Sequence, residues 1–162
     1  MARYIPNQHS WFGFTPTANW TGTATAPKQT ELAAATTINL TSLITGLTAA
    51  TTGQAVPTPD FGNLFETSIS GTVQATFQID GYRDDTSATA DALWTNLPRG
   101  VSGYITVALK ASGGVPAVAD KVDVWPIQVL SRTVPNYTSG QVVACQITCA
   151  VPSVPGENVS VV

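Results

Sequence analysis

Charge is what this sequence has least of. Of its 162 residues, 10% are Asp, Glu, Lys or Arg, against about 25% in a typical soluble domain. The seven Lys and Arg residues are scattered from Arg3 to Arg132 and form no basic stripe. Tight binding to phosphate backbones needs clustered cations, so the composition argues against a nucleic-acid binder. A net charge of −3 still allows nucleic acid to slide past without sticking. Histidine occurs once, at His9, beside Ser10. Adjacency in sequence does not build a nucleophile–base–orienter geometry, and no second base is available. P-loop, GxGxxG, HExxH and CxxC motifs are all missing.

Cysteine is nearly absent too. Cys145 and Cys149 lie four residues apart in the alternating segment QVVACQITCAV. On a strand such a pair faces one way but is about 13 Å apart, beyond the roughly 7 Å a disulfide spans. With His9 far off, zinc is equally poorly served, and the pair reads as two small core residues. No run reaches the roughly 20 apolar residues of a membrane helix, and MARYIPNQHSWF lacks a signal-peptide core. The expectation is a chain made in the cytoplasm, in which the sequons at Asn19, Asn39, Asn136 and Asn158 are chance products of a Thr-rich sequence.

Thr, Ser, Ala, Gly and Pro stand in for charge, while hydrophobic residues still make up 43%, enough for one domain with a real core. Covering surface with neighbouring subunits is one way to live with so few charges. Residues 1–30 read as an N-terminal arm, rich in aromatics (Tyr4, Trp11, Phe12, Phe14, Trp20) but broken by prolines. Those rings either fold back on their own domain or dock on a neighbouring subunit. Residues 31–162 read as one domain. The segment 36–45 alternates as a strand, and 46–62 (GLTAATTGQAVPTPDFG) reads as a long uncharged loop, a class often functional.

Residues 67–80, TSISGTVQATFQID, carry the clearest period. Ile69, Val73, Ala75, Phe77 and Ile79 take one face, and Thr72, Gln74, Thr76, Gln78 and Asp80 take the other. A helix is expected at about 88–97, carrying Leu93, Trp94 and Leu97, stopped by Pro98 and Gly100. Strands follow at 103–110, 121–131 and 141–151, then a C-terminal segment 152–162. In 121–131 the apolar phase changes beside Pro126, which suggests a bulge or an edge position. With no βαβ series, the fold class is mostly β: an antiparallel sandwich or barrel with one flanking helix and extended terminal arms.

The densest carboxylate group is Asp80, Asp84 and Asp85, around Arg83. Calcium takes several such oxygens, but the spacing departs from an EF-hand loop and equally suits a turn leading into a helix cap. Trp94, Trp125, Tyr82 and Tyr104 could form a sugar platform or belong to the core. A carbohydrate-binding module therefore stands beside a self-associating structural protein, with a hydrolase built on the three aspartates behind both.

The runs ISGTVQATFQIDGYRDD, ALWTNLPRGVSGYI, ADKVDVWPIQVLSR and CAVPSVPGENVSV resemble major tail proteins, the tail-tube subunits of long-tailed phages of actinobacterial hosts. The resemblance runs from about residue 36 to the C-terminus and more loosely through the arm. It implies a non-enzymatic virion protein without cofactor or metal, assembled in the host cytoplasm. Six copies would form a ring whose inner sheets join into one barrel, and rings would stack into a hollow tube. The implied partners are further copies, a tape-measure protein in the lumen, tail terminator and tail-tip proteins, and DNA in passage. Another virion role, head decoration or head–tail joining, would trimerise or form a single ring instead. Carried onto this chain, the bridging candidates are Trp11, Phe12, Phe14, Trp20 and, in the 46–62 loop, Val56 and Phe61. The lumen candidates are Thr72, Gln74, Thr76, Gln78 and Asp80. Lumens in this family tend to be acidic. This face departs from that with Asp80 alone, though a neutral wall also offers phosphate no grip.

Overall fold

The computed structural model describes residues 10–58, 67–83, 91–109, 114–134 and 143–162, with the backbone alone at 58 and 67–70. His9, Phe61, Asp84, Asp85 and the start of the expected 88–97 helix lie outside the described residues. The strands are β1 (Trp11–Pro16), β2 (Ile38–Asn39), β3 (Ile44–Thr58), β4 (Thr67–Tyr82), β5 (Ser102–Ala108), β6 (Lys121–Thr133), β7 (Ala144–Ala150) and β8 (Gly156–Ser160). Among the described residues two short α-helices, α1 (Gln29–Leu32) and α2 (Ala92–Asn96), accompany them. All strand pairs are antiparallel, in one sheet of order β2-β1-β5-β6-β7-β4-β3, with β8 also on β6. The hydrogen-bonded path is open. Its end strands β2 and β3 are nevertheless joined by residues 40–43 alone, so the sheet must curl until its ends meet there, like a barrel left unzipped.

Curling gives the sheet an inside. Phe14 (β1), Phe77 and Ile79 (β4), Ile105 (β5), Trp125 and Ile127 (β6) and Ile147 (β7) pack there, under Leu93 of α2, Leu97 just after it and Leu40 of the turn. Each such side chain contributes about 1.5–3 kcal/mol on burial. Cys145 and Cys149 belong to this core and are free. Burial, with Asp91 adding to it, raises the Cys145 thiol pKa. Burial alone pushes Cys149 up to about 12.

A second core lies on the opposite face of β1, β5 and β6, where Trp11, Trp20, Leu32, Val122, Val124 and Val161 meet. Two covered faces explain the phase change in 121–131: Val122 and Val124 face this core, and Trp125, Ile127 and Val129 the first. The β5–β6 register runs unbroken through Tyr104↔Pro126, so no bulge sits at the proline. On its other flank Pro126 falls between the residues paired with β8, ending at Val124, and those paired with β7, starting at Gln128. A residue without an N–H is tolerated in that gap.

The expected arm gives way to regular structure from Trp11 onward. Trp11, Phe14 and Trp20 are buried in the protomer's own cores and Phe12 is half-buried, so these four rings fold back on their own domain, while Tyr4 lies outside the described residues. The Trp11 indole lies over Gly13, where a Cβ would come 2.1 Å from Trp11 Cη2. Trp20 stacks on Tyr104 with centroids 4.4 Å apart. Buried Glu31 holds the following turn, accepting from Thr21 N at 2.7 Å, Gly22 N at 2.8 Å and the Thr21 hydroxyl.

The expected 46–62 loop is largely strand: β3 runs from Ile44 to Thr58 against β4. The 36–45 strand shrinks to Ile38–Asn39, followed by a turn.

Candidate assembly surfaces

β4 follows its sequence period. Phe77 and Ile79 are buried, while Thr72, Gln74 and Thr76 are exposed and Gln78 and Asp80 half-buried. Registers extend that polar face sideways. Thr76, Gln78 and Asp80 stand opposite Ala50, Thr48 and Gly46 of β3 on one side, and Ala150, Thr148 and Gln146 of β7 on the other. Beyond β7, Ser131 and Thr133 of β6 oppose Thr148 and Gln146. The outcome is a four-stranded face of Thr, Ser, Gln, Ala and Gly.

Asp80 is the one carboxylate on it among the described residues, accepting from Gln146 Nε2 at 3.0 Å and Gln78 Nε2 at 3.2 Å. No described Lys or Arg shares the face. Arg132 opposes Ile147 and so turns to the core side, where Nη1 donates to the Trp94 carbonyl at 2.6 Å.

The second surface is the hairpin itself. β4 is flanked by β7 only over Thr76–Tyr82, so from Thr67 to Ala75 its sole strand partner among the described residues is β3. At about 3.3 Å per residue this is roughly 30 Å of two-stranded ribbon, exposed from Ala50 to Pro57. Val56 is in this part. A register shift between Gly53 and Ala55 kinks it. Gly71 is required there, since a Cβ would lie 2.8 Å from Gln54 O.

The third surface is the outer edge of β3, which ends the strand path. Its sequence ITGLTAATTGQAVPT has no charged residue. Between its two register shifts, Gly46 to Gly53 run in unbroken pairing with β4.

The sugar platform loses its geometry. Trp125 packs in the core 5.5 Å from Phe77, and Tyr104 is covered by Trp20. The Trp94 ring carries the Arg83 and Arg132 guanidinium carbons at 4.5 and 4.2 Å. These rings form no shared platform for a sugar. Arg83 Nε donates to Asp91 Oδ2 at 2.7 Å, and Asp84 and Asp85 of the carboxylate group lie outside the described residues. Among the described residues no group of three His, Cys, Asp or Glu could hold a metal ion.

An antiparallel sheet with an uncharged edge that no described strand covers, a two-stranded ribbon and a wide polar face is the build of a self-associating structural protein. A family model for phage tail tube protein matches residues 2–162, and the chain belongs to that family, as a structural component of the virion tail. No curated protein matches the chain. Solved structures share its fold at low identity. A chain of the anti-feeding prophage baseplate, 6-fold symmetrised, is 9% identical with a TM-score of 0.58, covering 94% of this chain and 95% of that one. A chain of the gene transfer agent tail, refined with C6 symmetry, is 8% identical with a TM-score of 0.56, covering 96% and 98%. A chain of an extracellular contractile injection system sheath–tube complex is 11% identical with a TM-score of 0.56, covering 94% and 91%.

The sequence singled out the polar face of β4 through its period of two. It missed the β3 edge, which has no periodic signal, only the lack of any charge between Thr41 and Pro59.

Proposed function

We propose that copies of this chain join side by side through the β3 edge into closed rings that stack into a hollow tube. The polar face of β3, β4 and β7 lines the lumen, with Thr72, Gln74, Thr76, Gln78 and Asp80 toward the channel. The uncharged β3 edge carries the reading. Exposed edges are normally blunted by charge, proline or a cover, and here proline enters only at Pro57. Closure into a ring removes the edge altogether. Six copies is the number the reading adopts, because two of the similar structures carry 6-fold or C6 symmetry.

A wall without cations gives a passing DNA backbone nothing to hold, and a lining of hydroxyls and amides with one carboxylate per copy also suits a tape-measure protein during assembly. Tail terminator and tail-tip proteins would close the two ends of the stack. The ribbon at Val56, and Phe61 beyond it, would reach the adjacent ring. A two-stranded ribbon is marginal alone in water, and a neighbouring copy would supply the cover it needs. The role is structural and calls for no catalytic residue or cofactor.

Sedimentation of the full chain across a concentration series tests this. Growth from protomer to rings and tubes is the expected course, and a protomer that stays single at millimolar concentration would contradict it.

A further inference from the structure

The hydrophobic stripe of β4 does not stop where the protomer does. From the C-terminal end its core-side positions are Ile79, Phe77, Ala75 and Val73. The first two are fully buried, Ala75 is half-buried and Val73 is 64% exposed. Facing the exposed end of the stripe is the connector between β7 and β8, where Val154 is 83% exposed, the highest value among the described large hydrophobic residues. Between them lies a groove of about 480 Å³, lined by Thr51, Val73 and Ala75 on the hairpin side and Val151, Pro152 and Val154 on the connector side. Glu157 is the one charged residue on its wall among the described residues.

We propose that this groove seats an axially adjacent copy of the chain, in an inference that rests on the tube reading. Three observations select that occupant. Strands pair perpendicular to their length, so the β3 edge serves neighbours within a ring. The groove instead lies beyond the end of β7, displaced along the strands. The ribbon rising from it needs cover on the same side, and the next ring would supply both. Finally, the groove continues the protomer's own core and is almost uncharged, which fits an aliphatic protein surface and offers nothing to phosphate. The contact is heterologous: each copy offers its groove to a different surface of the next, as an open stack requires.

The test compares wild type with Val73→Asp and Val154→Asp in the full chain, by pelleting and electron microscopy. Both side chains are mostly exposed, so the melting temperature of the dissociated protomer should be unchanged. The expected result is a rise of about tenfold or more in the critical concentration for tubes, because a carboxylate would be buried without a partner. Single rings should persist, and Val154→Leu should assemble as wild type. Wild-type tubes together with unchanged critical concentrations in both Asp variants would overturn the groove assignment alone. Loss of rings along with tubes would overturn its axial placement. A wild type that forms neither rings nor tubes would overturn the tube reading, and this inference with it.

Discussion

Asp80 on β4 and Gln146 on β7 meet across the polar face of the sheet, the amide Nε2 donating to Oδ1 at 3.0 Å. Gln78 Nε2 approaches both oxygens of the same carboxylate, at 3.2 and 3.3 Å. The only described charge on the face is thus tied down by two amides. If the face is a channel wall, DNA passes a surface of hydroxyls, amides and one fixed negative charge.

Cations introduced there should hold the DNA. Replacing Thr76 and Gln78 with Lys puts two adjacent positive charges on the wall, repeated in every copy. Tails should assemble at wild-type yield while DNA delivery, measured as genome ejection from intact particles, falls by about tenfold or more through phosphate contacts. Normal ejection from particles confirmed to carry both lysines would place this face elsewhere.

Proline on the β3 edge should separate folding from association. In an antiparallel strand successive N–H groups point to opposite sides, so of Thr51→Pro and Thr52→Pro one removes a bond to β4 and the other an outward donor. The variant that retains the wild-type melting temperature should no longer form rings by electron microscopy. Rings from a stable variant would rule out edge pairing.

Trp11, Phe14 and Trp20 should behave as core. Trp11→Ala is expected to cost about 3–5 kcal/mol in denaturant unfolding of the protomer, and removal of residues 1–20 should abolish folding, since it deletes β1. A folded truncation that merely fails to form tubes would return these rings to an interface role.

The two thiols should stay inert and set an alkaline limit. Both pKa values are raised in the fold, that of Cys149 to about 12. Above the ordinary thiol value the unfolded chain loses these protons first, so stability is complete below about pH 8.5 and falls as pH rises toward 12. Melting temperatures from pH 8 to 11 should decline, and replacing Cys149 with Ser should flatten the decline. Rapid alkylation of both thiols in folded protein at pH 8 would contradict their burial.

How far the sequence could be read follows from how many faces of each strand are covered. β4 was legible because one side packs and the other is wet, giving Phe77 and Ile79 against Gln78 and Asp80. β1 was not, because both faces of WFGFTP are covered and no alternation survives. β6 showed a phase change for the same reason, with Val124 and Trp125 in different cores. β3 failed in the opposite way: Ala50–Pro57 is open on both sides, so Thr, Ala and Gly carry no period and resemble a loop. A strand that waits for a neighbour to complete it has the composition of that neighbour's contact surface rather than of a core.

The measurement that bears most directly on the account is electron cryomicroscopy of tubes grown from the full chain. The account predicts a hollow tube with β3 edges joined between copies and Thr76, Gln78 and Asp80 on the lumen wall. A tube with that face on its exterior, or one whose subunits leave β3 unpaired, would contradict it.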